Sequence, residues 1–194
     1  MNLEQLKSYA LAASAAGVSL AALSQPADAH VIIRTHISIP ITGMTSIDFN
    51  KDGIPDVRFS AFSTQPSGNV EHYDLYVRAN GIDASSGSAQ PLLRSANIGP
   101  SQHFSSAGRL VQTNCSTVCT YRGKWRSLPQ NRFLGIKFQI SGKTHYGWIR
   151  VTVKSAMNAT ITEYGYETIA NKSLKAGLRG ASLGDLARGT ADEE

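Results

Sequence analysis

Charge is sparse in this sequence: only 17% of its 194 residues are Asp, Glu, Lys or Arg, and it has just two cysteines, three methionines and two tryptophans. Each shortage excludes something. Two cysteines cannot staple a disulfide-rich miniprotein, and two thiols alone do not make a zinc site. Leu and Glu are too few for a helical bundle, whereas seventeen Gly and seven Pro favour short strands joined by turns. Basic residues outnumber acids 19 to 14 but lie scattered, which argues against a nucleic-acid partner. No H-E-x-x-H and no phosphate loop occurs, so no enzymatic activity is expected. At 41% hydrophobic, the chain is neither disordered nor collagenous and suits one globular domain.

A long uncharged stretch runs from Ser8 to Gln25, behind Lys7 and ahead of Pro26 and Ala27-Asp28-Ala29. Its apolar core is shorter than the roughly 20 residues needed to span a bilayer. With small residues at Ala27 and Ala29 it reads as a secretory signal peptide cut before His30. The expected division is a leader at 1–29, a β-domain at 30–170 and a loosely structured tail at 171–194. The expected location is secreted, periplasmic or on the cell surface, with no membrane span after cleavage. Thiols oxidise there, so Cys115 and Cys119 should form a disulfide that rigidifies a turn.

Apolar residues alternate from Val31 to Ile41, from Val57 to Ala61 and from Tyr73 to Val77, the period of half-buried strands. The Gly, Ser, Asn and Pro content between Ala79 and Gln102 predicts a long surface loop. From Phe133 to Val153 two alternating segments flank Ser141-Gly142, which predicts a hairpin in which Ile140 faces Lys143. That register puts Leu134, Ile136, Phe138, Ile149 and Val151 on one core face. The other pairs Phe133 with Arg150, Gly135 with Trp148 and Lys137 with Tyr146, with the indole laid over the bare Gly135 and a cation beside each flanking ring. Both faces are therefore apolar, and the expected fold is an all-β, two-layer antiparallel β-sandwich, jelly-roll or Ig-like. The second face is either covered by a further layer or exposed as a sugar-stacking platform of Tyr146, Trp148 and Arg150.

Asp48-Phe49-Asn50-Lys51-Asp52-Gly53-Ile54-Pro55-Asp56 reads D-x-N-x-D-G-x-x-D. A hard cation such as Ca2+ takes six to eight oxygens. Here Asp48, Asn50, Asp52, the Ile54 carbonyl and Asp56 can supply them around a turn that Gly53 permits. An EF-hand would require Glu at the twelfth position, where Phe59 stands. A cage drawn from one loop is expected to be structural rather than catalytic.

The shorter loop resembles the calcium loops of integrin-type propeller blades and of many secreted bacterial β-domains. Together with the leader, Phe133-Leu134-Gly135-Ile136-Lys137-Phe138, Thr144-His145-Tyr146-Gly147-Trp148 and Tyr164-Gly165-Tyr166-Glu167-Thr168, it resembles an uncharacterised family of secreted bacterial β-domain proteins associated with PEP-CTERM-type sorting. That resemblance spans Ile47 to Lys175 and implies an extracellular or envelope protein with a calcium loop and a Tyr-Gly-Trp hairpin. The ending Asp192-Glu193-Glu194 departs from the hydrophobic anchor and basic end of sorted members. A calcium-stabilised structural, adhesive or surface-associated module is the function expected, with an extracellular polysaccharide or a surface protein as partner. A carbohydrate-binding module using Trp125, Tyr146, Trp148, Tyr164 or Tyr166 is an alternative. A copper-dependent polysaccharide oxidase is another, with His30 as terminal ligand and His36, His72, His103 or His145 as second imidazole.

Overall fold

The structure, a computed structural model, describes residues 31–65, 70–126 and 132–178. The leader, the cleavage site at His30 and the tail from residue 179 lie outside the described residues. In chain order the strands are β1 (Val31–Arg34), β2 (Ile39–Ile41), β3 (Met44–Ile47), β4 (Val57–Thr64), β5 (Glu71–Ser85), β6 (Ser88–Ala89) and β7 (Asn97–Ile98). They continue with β8 (Phe104–Cys115), β9 (Cys119–Arg122), β10 (Arg132–Ile140), β11 (Lys143–Ser155), β12 (Asn158–Glu167) and β13 (Leu174–Lys175). The described residues are all-β. Pairing is antiparallel except for β6 with β8, and β7 pairs with β13 as a small separate sheet.

The 15-residue β5 organises the rest. Its first half pairs β4 on one side and β8 on the other, from Val57↔Ala79 to Thr64↔His72 and from Glu71↔Cys115 to Arg78↔Ala107. The β5–β8 register slips between Arg78 and Ile82, and beyond that slip Gly81 and Ile82 pair with Lys137 and Ile136 of β10. One strand thus belongs to two halves of a single sheet, and the bulge lets the sheet fold back on itself. Val57, Phe59, Leu75, Val77 and Val111 from one half meet Leu134, Ile136, Phe138, Ile149, Val151 and Ile161 from the other in one core. The result is sandwich-like, with two faces of alternating strands closed against each other.

Hairpin β10–β11 has the predicted register throughout, with Ser141 and Gly142 at φ 48° and 74° as a two-residue turn of that kind demands. Its second face is covered. Phe133, Tyr146 and Trp148 pack with Ile98, Leu174 and Ala176 in a second core beneath β7, β13 and the segments beside them. This cap corrects two expectations. The stretch from Ala79 to Gln102 carries the end of β5 together with β6 and β7 rather than one surface loop. The packed domain also continues past residue 170, because Leu174 and Ala176 are buried. The predicted strand from Val31 to Ile41 is likewise two strands. His36 takes φ 56° between them, and both pair with β12.

Candidate functional site

The loop Asp48–Asp56 joins β3 to β4 and folds as a tight polar turn, with Lys51 at φ 61° and Gly53 at φ 88°. Its acidic side chains are turned inward onto the backbone of their own loop. Asp48 Oδ1 accepts from Lys51 N at 2.6 Å and Oδ2 from Gly53 N at 2.9 Å; Asp52 Oδ1 accepts from Ile54 N at 2.8 Å. Asn50 donates through Nδ2 to Asp52 Oδ2 at 2.9 Å, and Asp56 Oδ2 accepts from Phe49 N at 2.8 Å. At the loop's base, Asp56 N donates to the Ile47 carbonyl at 2.9 Å, where β3 meets β4. Burial pushes the Asp56 carboxyl up to about 6. The Phe49 N–H opposes that rise, while the charges of Asp48 and Asp52 add to it. Among the described residues, no three His, Cys, Asp or Glu side chains converge as a ready-made metal cluster.

Nothing in the spacing marks Phe49, yet it is the residue that ties this surface loop to the interior. It is buried, stacks on Phe138 with centroids 4.7 Å apart, and meets Tyr164 and Tyr166 edge-on at 5.4 and 5.9 Å. The mark it leaves in the sequence is an aromatic ring between the polar residues Asp48 and Asn50. Tyr166 also borders the loop electrostatically: burial raises its phenol, Arg34 lowers it, and Asp56 and Asp48 raise it further.

The other expected sites fare differently. Cys115 and Cys119 are bonded, and they face each other where β8 turns into β9. Tyr146 is nearly buried and Trp148 wholly so, while Trp125 and Tyr166 are also buried, so these rings offer no flat row to a sugar. Trp148 does pair with Gly135, but the indole does not lie over that glycine. Asp83, Leu92 and Ile98 crowd the space above Gly135, whereas the indole sits over Gly165, its partner on β12. The expected cation–aromatic pairs are also exchanged. Arg94 lies over Phe133, Lys137 lies over Phe104, and Arg150 turns to Glu163, Nη1 to Oε2 3.7 Å. His36, His72, His103 and His145 occupy separate places: the β1–β2 corner, β5, the approach to β8, and β11. His30 lies outside the described residues. No protein-family model, no curated protein and no solved structure matches this chain.

Proposed function

We propose that this chain is an exported β-sandwich protein with a structural or adhesive role at the cell surface or beyond it, stapled by one Ca2+ in the Asp48–Asp56 loop. The observation that carries this reading is the way the loop is built. Side-chain oxygens of Asp48, Asn50, Asp52 and Asp56 and the carbonyl of Ile54 form an all-oxygen donor set of the kind a hard cation takes. The turn that would hold them is already folded around Gly53. Three carboxylates in one short turn repel one another, and the charges of Asp48 and Asp52 add to the rise that burial imposes on Asp56. A bound divalent cation would replace repulsion by attraction and, through Phe49, fasten one end of the core. The disulfide agrees with an oxidising destination. The two facing halves are read as the layers of the sandwich.

The test is a pair of thermal melts, in excess Ca2+ and in chelator, for the wild type and Asp52→Ala. Binding to the native state alone stabilises by mass action, about 2.7 kcal/mol when the free ion is a hundredfold above Kd. The wild type should therefore melt several degrees higher with Ca2+, and Asp52→Ala should lose most of that gain. Equal wild-type midpoints in the two buffers would remove the calcium reading.

A further inference from the structure

At the β10–β11 turn, on the same side of the core as Phe138, lies a groove of about 720 Å3 that neither the calcium loop nor the buried aromatic face explains. Its volume falls in the range of small-ligand sites, roughly 300–1,000 Å3. Ile140, Ile169 and Ala170 give it an apolar wall, and Lys143, His145 and Thr168 give it polar points. We propose that this groove binds an acidic sugar unit, a pyranose bearing a carboxylate, as found in uronic-acid polysaccharides.

His145 in the groove wall is nearly buried. Its Nδ1 lies 2.9 Å from the Glu167 carbonyl oxygen. A carbonyl only accepts, so Nδ1 carries the hydrogen, and in the neutral imidazole Nε2 then keeps a bare lone pair. Nε2 has no hydrogen-bond partner among the described residues, although the ring lines the groove. A ligand that fits must therefore bring a donor, and a hydroxyl is the simplest. Lys143 supplies the second requirement. It is exposed at the groove's mouth and forms no ion pair among the described residues. The nearby Glu167 carboxylate is already engaged: Oε1 accepts from Ile169 N at 3.0 Å and Oε2 faces Lys172 Nζ at 3.6 Å. One unmatched ammonium calls for one negative charge, which a carboxylate supplies. Ile140, Ile169 and Ala170 then meet the C–H face of the ring. A purely apolar occupant would leave the Nε2 lone pair desolvated and unpaired.

This site is separate from the Asp48–Asp56 loop, and the experiment keeps the two apart. Oligogalacturonate and a neutral galactose oligomer of equal length are titrated into the full chain by calorimetry, in Ca2+ and in chelator. The acidic oligomer should bind saturably in both buffers, at least about tenfold tighter than the neutral one. Lys143→Gln, at an exposed position, should weaken it about tenfold without moving the melting point. His145→Asn keeps an N–H for the Glu167 carbonyl and removes Nε2, so it should weaken both oligomers. Absence of saturable binding by the wild type would overturn the proposal, as would affinity unchanged in Lys143→Gln. Binding that needs Ca2+ and survives Lys143→Gln would place the sugar on the metal loop and equally overturn the groove assignment.

Discussion

Replacing Trp148 by alanine tests whether the second face of the hairpin is truly interior. The indole is fully buried, flanked in register by Gly135 and Gly165, and edge-on to Phe133 at a centroid distance of 5.3 Å. An aromatic of this size buries about 150–250 Å2, which at about 25 cal/mol per Å2 amounts to roughly 4–6 kcal/mol as an upper bound. One term works against it. Trp148 Nε1 is buried with no hydrogen-bond partner among the described residues, and an orphaned donor costs about 1–3 kcal/mol that disappears with the indole. The net loss should be about 3 kcal/mol, the low end of the usual range for Trp→Ala. Trp148→Phe keeps most of the packing and removes the orphaned N–H, so it should cost about 1 kcal/mol or less. Urea unfolding followed by far-ultraviolet circular dichroism measures both, since Trp125 would confuse fluorescence. A Trp148→Ala protein with the wild-type midpoint would refute the reasoning, and so would a Phe variant as damaged as the Ala variant.

Two further outcomes follow from the same chemistry. In nonreduced exported protein Cys115 and Cys119 should trap no thiol reagent, and reduction should leave the fold in place. Closing so small a ring is worth about 2 kcal/mol at most, and two free thiols before reduction would contradict the bridge. In chelator, Asp56 binds its proton more tightly in the folded chain, at about 6 against 3.8, so the native state holds more protons between those values. Stability should then fall as pH rises from about 4 to about 6 and level off above, by about 1 kcal/mol once screening at a half-exposed site is allowed for. Asp56→Asn keeps an oxygen for the Phe49 N–H and should flatten that pH profile while abolishing the response to Ca2+. A metal-free wild type whose stability rises over the same interval would show the sign to be wrong.

The hairpin was legible because its information is local: Ser141-Gly142 sets the turn, and period-two alternation then assigns every side chain to a face. The disulfide was legible for a similar reason, with only one pairing available. What escaped depends on partners distant in the chain. Trp148 covers Gly165 rather than Gly135 because β12 lies on its other side, a neighbour that alternation within the β10–β11 hairpin does not reveal. The cap escaped because short β6 and β7 sit among Gly, Ser and Asn, the composition of a loop, and because β7 pairs with β13 about 77 residues away. The metal loop was visible as a donor set, but its anchor Phe49 was not, since an aromatic between two ligands has no fixed meaning until Phe138 is seen against it. His145 likewise acquires its fixed tautomer only when β12 brings the Glu167 carbonyl to it.

The sharing of β5 between both halves of the sheet has a consequence for how the molecule comes apart. Its first half is hydrogen-bonded to β4 and β8, and its end to β10, so neither half keeps a complete set of strand partners without the other. The fold therefore has no natural seam along which it could open in two stages, despite possessing two separate apolar clusters. Loss of β5 is loss of everything, and the chain should unfold as one cooperative unit. The same arrangement makes assembly slow, because strands far apart in the chain must find β5 before any half is stable, and that search carries a large loop-closure entropy.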